Sequence, residues 1–481
     1  MAAVTSTQGR RLRTSTYQVK SVKRGQVDWV LVAAMALLTV LGLIMTYSTT
    51  FLWAYTADGS PLAKLARQVF SAVLGLAAFV VFSRLDYQIL RRWSVPIMLV
   101  CLIVLAVVYF AGDVRFNARR TLMDGSVQPS EFAKICILVY AATWLASRRA
   151  QVQSIANGLV PFGVIIGIGA GLIALQPDLS TTGVIVLAAA AMFFVAGASL
   201  PQIILVFLVA SAAFLLMVSW FPHATGRMDD FIKAIGNPPE NAHWHIRQAL
   251  IAFAEGGLFG EGWGASYQKY GLLPTPHTDS VFAVLAEEMG WFGVVATLSL
   301  FALLAYRAFR IARRADTAFG AFLAIGLISW IMAQTLVNIM AMTALLPLPG
   351  VPVPFLSLGG SSLVSVMAAC GILVSISRGT RLEVSGEDAG DGGASGSGGG
   401  VGRASSTIRR RNSRSRVAGA NRAENPEADD ATEIIGRDVQ FDARITRGSG
   451  AAGSGAGSGR AGVVRRGAGR YGARTGPARW R

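Results

Sequence analysis

The sequence predicts an all-α polytopic membrane protein with about ten transmembrane helices and one large outer loop between spans seven and eight. Three observations carry that prediction. Apolar residues make up 53% of the 481-residue chain and charged residues only 15%, where a soluble domain carries roughly 25% charge. The deficit is confined to residues 28–378, with polar sequence at both ends. Within that stretch apolar runs recur near the roughly 20 residues a helix needs to cross a bilayer, and Lys and Arg gather in alternate connections.

Residues 1–27 form a basic N-terminal segment with Arg10, Arg11, Arg13, Lys20, Lys23 and Arg24. No cleavable signal peptide is expected, because the first apolar run begins only near Asp28 and is long enough to span. Spans are expected at 29–48, 66–83, 94–112, 131–147, 158–175, 180–197, 201–220, 281–305, 318–342 and 357–377. Gly163, Gly167 and Gly171 put small residues at four-residue spacing, which suits close helix packing.

Orientation follows from the arginines. Arg84, Arg91 and Arg92 lie between spans two and three, Arg148 and Arg149 between four and five, and Arg307, Arg310, Arg313 and Arg314 between eight and nine. With ten spans these share one side with the N-terminal segment. The positive-inside bias makes that side the cytoplasm and places both termini there. Arg115, Arg119 and Arg120 break the bias, between spans three and four on the outer side, and suggest an anionic partner.

Residues 379–481 form a Gly-, Ser-, Ala- and Arg-rich tail with almost no aromatic residues. Such a composition buries too little apolar surface to fold alone, so a disordered cytoplasmic spacer is expected. The net charge of +17 falls largely in this tail and in short loops. It reads as topology and attraction to membrane lipid rather than nucleic-acid binding. Cys101, Cys136 and Cys370 all lie in apolar runs, as buried thiols rather than a disulfide framework.

Polar motifs interrupt the apolar pattern at the outer ends of the spans. Span four opens with Gln128-Pro129-Ser130-Glu131, where proline suits a helix start. Glu131 and Lys134 share one helical face, and ionisable residues at membrane depth are costly and usually functional. A structural ion pair is the plainer alternative. Gln176-Pro177-Asp178-Leu179-Ser180 joins spans five and six, with Ser180 the expected cap of span six and the role of Asp178 open.

The long outer loop carries Ile246, Ala249, Leu250 and Phe253 at helical spacing, expected as an amphipathic helix at the membrane interface. The glycine run 256–264 follows, a weak match to a phosphate loop because no Walker lysine accompanies it. His243 and His245 lack the partners of a zinc site. The loop ends at His277-Thr278-Asp279, at the start of span eight. Asp279 there suits an N-cap, a general base or a cation ligand. Glu287 and Glu288 lie two turns further on. Prolines at 347, 349, 352 and 354, then Ser357 and Gly359-Gly360-Ser361-Ser362, introduce span ten. Irregular backbone at that depth is shielded by protein or lines a watery cavity.

QPSEFAK (128–134), LQPDLSTTG (175–183), AFAEGGLFGEGWGASYQKYGLLPTPHTDSVFAVLAEEMG (252–290) and LLPLPGVPVPFLSLGGSSL (345–363) resemble, in order, the signature blocks of the SEDS family, whose members include FtsW, RodA and SpoVE. The resemblance covers residues 28–378 and leans toward the division-type FtsW members. It implies ten membrane helices and a peptidoglycan glycosyltransferase acting on lipid II, a disaccharide-peptide on a polyprenyl pyrophosphate. It also implies a class B penicillin-binding protein and other divisome proteins as partners. The family's favoured catalytic aspartate maps to Asp279, and its Glu and Lys map to Glu131 and Lys134. Gln128, Ser130, His277, Thr278, Gly359, Gly360, Ser361 and Ser362 join them as substrate-binding candidates. Thr121 stands where the family often carries tryptophan.

The chemistry suits these residues. A carboxylate at Asp279 can take the acceptor hydroxyl proton. Arg119, Arg120, Lys134 or a divalent metal ion (Mg or Mn) can offset charge on the departing pyrophosphate. The alternatives are an elongation-type RodA-like polymerase, a lipid II flippase and a non-catalytic scaffold.

Overall fold

The computed structural model describes residues 19–57, 63–115, 118–121, 127–148, 151–220, 222–235, 242–347 and 350–384. Its helices are α1 (Trp29–Ala57), α2 (Ala63–Arg84), α3 (Tyr87–Arg92), α4 (Ser94–Ala111), α5 (Pro129–Ser147), α6 (Val160–Leu175), α7 (Leu179–Val195), α8 (Leu200–Trp220), α9 (Pro222–Ala234), α10 (Trp244–Glu255), α11 (Val281–Arg314), α12 (Ala318–Met342) and α13 (Gly360–Ser377). Eight described helices are long and apolar enough to cross a membrane, and α7 is a shorter apolar one. With α5, whose 19 residues include Glu131 and Lys134, ten helices occupy the ten expected spans. The chain is a membrane-embedded helical protein.

Burial ranks these helices. In the most apolar window of α13, 78% of residues are buried, against 6% for α8. Helix α13 is therefore the centre of the bundle, with α2, α5 and α12 around it, and α8 runs along the rim. Short polar side chains set the helix starts. Asp86 caps α3 by accepting from Gln88 N at 2.9 Å, and Thr317 caps α12 by accepting from Gly320 N at 3.1 Å. Asp178 caps α7 through Thr181 N at 3.2 Å. The cap expected at Ser180 thus lies two residues earlier, at Asp178: α7 already begins at Leu179, so Ser180 lies inside its first turn.

Helix α10 packs on α11 with Ile246 and Ala249 buried and Trp244 and Ile251 exposed. Two further expectations are corrected. Helix α13 starts at Gly360 rather than 357 because the proline-rich approach is irregular up to that point. The tail is not unstructured from its first residues, since Thr380–Val384 pairs antiparallel with Val19–Arg24. Residues 385–481 lie outside the described residues. A second small pairing joins Asp113–Arg115 to Ala118–Thr121.

Helix α11 is two helices joined at Gly290, whose φ of 61° breaks the spiral. Its first segment, 281–288, is buried throughout, while Trp291 and Phe292 beyond the break are exposed. The topology brings the start of α2, α5, α7, α11 and α13 and the end of α1 and α12 to one end of the bundle. At the other end Arg307 grips Asp28 with two nitrogens, Nη2 at 2.7 Å from Oδ2 and Nε at 3.0 Å from Oδ1, tying α11 to α1.

Candidate active site

The turn before α11 is held by its backbone. His277 O accepts from Leu358 N at 2.8 Å, Thr278 O from Ser357 Oγ at 2.6 Å, and Asp279 O from Asn338 Nδ2 at 2.8 Å. Asn338 also donates to Val351 O at 2.7 Å, and Gln68 Nε2 to Ser357 O at 3.2 Å. Two helices and the proline-rich segment therefore fix three consecutive carbonyls. Each such bond contributes about 1 kcal/mol, and together they leave the turn little freedom. Asp279 itself stays partly exposed. It is not an N-cap: Ser280 occupies that position and makes no side-chain cap bond.

Ser280 Oγ donates to Pro274 O at 3.0 Å and also meets His245 Nε2. A hydroxyl has one proton, so His245 is the donor in the second bond and carries its proton on Nε2. Burial, then the charges of His243 and Arg227, push its pKa down to about 4. Burial, then the charge of Lys64, likewise push His277 down to about 4. Both imidazoles are neutral near pH 7; among the described residues, Arg227 on α9 and Lys64 at the start of α2 are fixed cations whose charge acts on them. A Cβ built on Gly350 would stand 3.6 Å from Arg227 Nη1 and 3.7 Å from Asp279 Oδ2, and its φ of 64° favours glycine there.

The other motifs meet nearby. Gln128 N donates to Ser361 Oγ at 3.0 Å, and its side-chain amide donates to Ser130 Oγ at 3.1 Å and Asp178 Oδ2 at 3.4 Å. The starts of α5, α7 and α13 are joined there. Gly360 touches α2 so closely that a Cβ would lie 2.7 Å from Ser71 Oγ. Gly359 leads into α13, and Ser362 is buried.

Glu131 and Lys134 do not present themselves to a ligand. Their side chains are 1% and 0% exposed and pair at 2.7 Å. Lys134 Nζ also donates to Gln334 Oε1 at 2.8 Å and lies 4.9 Å from the Trp330 ring centroid. Gln334 Nε2 reaches Pro352 O at 2.8 Å. The pair sits beneath the proline-rich segment and supports it, so Lys134 is corrected from a substrate cation to a buried support. The side chains of Arg119 and Arg120 lie outside the described residues.

Glu287 and Glu288 are also buried, as anchors. Glu287 accepts from Ser266 Oγ, Tyr267 N and Gln268 N at 2.6, 2.6 and 3.1 Å. Glu288 pairs with Lys269 at 2.7 Å. The break in α11 explains the glycine run. Glu261 N and Gly262 N donate to the carbonyls of Glu287 and Glu288 at 3.0 Å each, while Trp291 N and Phe292 N donate to Gly257 O and Leu258 O. A Cβ on Gly290 would lie 2.4 Å from Gly260 N, so glycine there permits the approach. These glycines complete a broken helix, and the amides of Glu261 and Gly262 are taken up by α11.

Sequence reading missed Lys64, Gln68, Arg227, Gln334 and Asn338. Gln334 and Asn338 carried a signal, as two amides four residues apart in an otherwise apolar helix. Arg227 carried none, being one charge in a long loop. Among the described residues no group of three or more His, Cys, Asp or Glu is arranged to hold a metal ion. The Arg227 guanidinium, facing the same glycine as Asp279, disfavours a dication there, so the residues present do not fit a divalent metal.

A family model described as a cell cycle protein, covering FtsW, RodA and SpoVE, matches residues 28–382. Stage V sporulation protein E of Bacillus subtilis (strain 168) is 37% identical over 366 residues, 75% of this chain and 100% of the relative. A probable peptidoglycan glycosyltransferase FtsW of Trichlorobacter lovleyi is 35% identical over 380 residues, 77% of this chain and 98% of the relative. A solved structure described as "Structural coordination of polymerization and crosslinking by a peptidoglycan synthase complex" aligns with TM-score 0.59 at 26% identity, covering 73% of this chain and 98% of that one.

Proposed function

The chain belongs to the FtsW, RodA and SpoVE family of cell cycle proteins, and from that premise we propose that it is a peptidoglycan glycosyltransferase polymerising lipid II with Asp279 as its general base. The observation that carries the assignment of Asp279 is the clamped turn: three fixed carbonyls hold a partly exposed carboxylate beside a guanidinium. Pre-positioning of this kind is what a proton-transfer step needs.

In the reaction the acceptor sugar hydroxyl attacks the anomeric carbon of the donor. A carbon–oxygen bond forms there as the bond to pyrophosphate breaks. The hydroxyl proton goes to the Asp279 carboxylate, and the electron pair leaves with the polyprenyl pyrophosphate. Glu131, Lys134 and Gln334 act as positioning residues, through the proline-rich segment.

An outer-face site with both termini cytoplasmic is supported by the arginines at the opposite end of the bundle. A class B penicillin-binding protein is the cross-linking partner, supported by the similar structure's description as a complex coordinating polymerization and crosslinking. The septum is the site of action, supported by the relative named FtsW.

The test is lipid II polymerisation by the purified chain with its partner and no other polymerase. Asp279→Asn is expected to lower the rate by about 10²–10⁴-fold at unchanged melting temperature. Near wild-type polymerisation by that variant would sink the assignment of the base. Transfer of lipid II across vesicles without glycan product would support the flippase instead.

A further inference from the structure

The departing pyrophosphate carries charge that the reaction must stabilise, and of the cations first expected to do so the side chains of Arg119 and Arg120 lie outside the described residues. Lys134 is fully buried in its pair with Glu131. Arg227 is an exposed residue of α9, and a Cβ at Gly350 would come within 4 Å of both its Nη1 and the carboxylate of Asp279.

We propose that Arg227 binds the pyrophosphate of the donor lipid. The proposal rests on Asp279 marking the reaction centre. Two observations support it. A guanidinium presents a planar fork that matches two phosphate oxygens, and it stays charged at any working pH; Arg227 brings one, on a separate helix, to the glycine that also faces the Asp279 carboxylate. Burial, with the charges of Arg227 and Lys64 as lesser causes, pushes His245 and His277 down to about 4, so neither imidazole supplies positive charge near pH 7.

Gly350 fits this arrangement. Its positive φ disfavours any side chain, and a side chain there would come against both the guanidinium and the carboxylate.

The experiment uses inorganic pyrophosphate as the probe on the purified chain. Pyrophosphate is expected to raise the melting temperature of the wild type and of Asp279→Asn alike. Arg227→Gln is expected to bind it about 10–100-fold more weakly, as for the loss of hydrogen bonds to a charged group, with Arg227→Lys in between. Equal binding by wild type and Arg227→Gln would overturn the proposal. Should the glutamine variant not fold, the unmutated chain still decides. Pyrophosphate is expected to protect Arg227 from phenylglyoxal, and an unchanged rate of modification would overturn the proposal equally. Binding by Asp279→Asn separates the two readings, because a failed base leaves the pyrophosphate result standing.

Discussion

Lys134 pairs with Glu131 one turn away on the same helix, whereas Lys269 reaches from a loop to Glu288 on α11. Both pairs are buried and both support irregular backbone at the site end, yet they are built differently. The first is enclosed by three helices. Gln334 and the Trp330 ring take up the rest of the ammonium, and Ser365 lies 3.5 Å from the second carboxylate oxygen. The second pair adds Ser48 and Gly264 O as acceptors for Lys269, but Glu288 Oε2 has no partner among the described residues. It also borders a cavity of about 200 Å³ lined by Tyr47, Phe51, Trp263 and Tyr270. The difference follows from the backbone each supports. Prolines cannot donate, so the proline-rich segment depends on side chains such as Gln334 and Asn338. The glycine run can donate, and it bonds directly to the broken α11.

Removing one charge should therefore act unequally. Lys134→Met leaves Glu131 buried without its cation and is expected to be destabilised by about 3–5 kcal/mol, read as a large fall in melting temperature with activity falling alongside. Replacing both partners, as Glu131→Gln with Lys134→Met, should cost less than the single change. A milder single variant would mean that the pair does not support the proline-rich segment.

Lys269→Met removes the donor to Glu288, Ser48 and Gly264 O but should lower the melting temperature less than Lys134→Met, because Ser48 Oγ still donates to Glu288 Oε1 and four backbone bonds still hold the loop to α11. Hydrogen exchange in residues 256–271 should rise while the turn at 277–279 stays protected. An effect as large as that of Lys134→Met would break the distinction drawn here.

Arg307→Gln sets the lower bound. Its pair with Asp28 lies at the opposite end with side chains 21% and 9% exposed, so a loss below about 1 kcal/mol is expected. Polymerisation should be unchanged. Lost activity at retained stability would show that the two ends of the bundle are coupled.

Much of the helical layout was legible because apolar length and arginine placement are local properties of the chain. All ten spans were visible this way, including α5 despite its charged pair. The converging motifs were legible as well: Gln128, Asp178, Asp279 and Ser361 all lie at one end. What side chains do there was not. Glu131 and Lys134 look alike in sequence whether they face a ligand or a neighbouring helix, and only the positions of Gln334 and Ser365 decide. The break at Gly290 was hidden because the sequence on both sides is good helix, and its compensating donors come from glycines about 30 residues earlier. Arg227 escaped notice because its relation to Asp279 exists only once Gly350 folds between them.

The distance along the chain between Lys134 and Gln334 bears on how the protein is made. Their bond joins residues 200 positions apart. A ribosome working at about 5–20 residues per second delivers the amide some 10–40 s after the ammonium. Throughout that interval α5 already needs a place in the bilayer, where an uncompensated charge is expensive. Because Glu131 lies within one turn, the nascent helix brings its own counter-charge and does not wait for a later span. A lysine on α5 whose only acid lay on α12 would spend the same interval alone. The short spacing of this pair thus lets a polar helix be inserted early and assembled late.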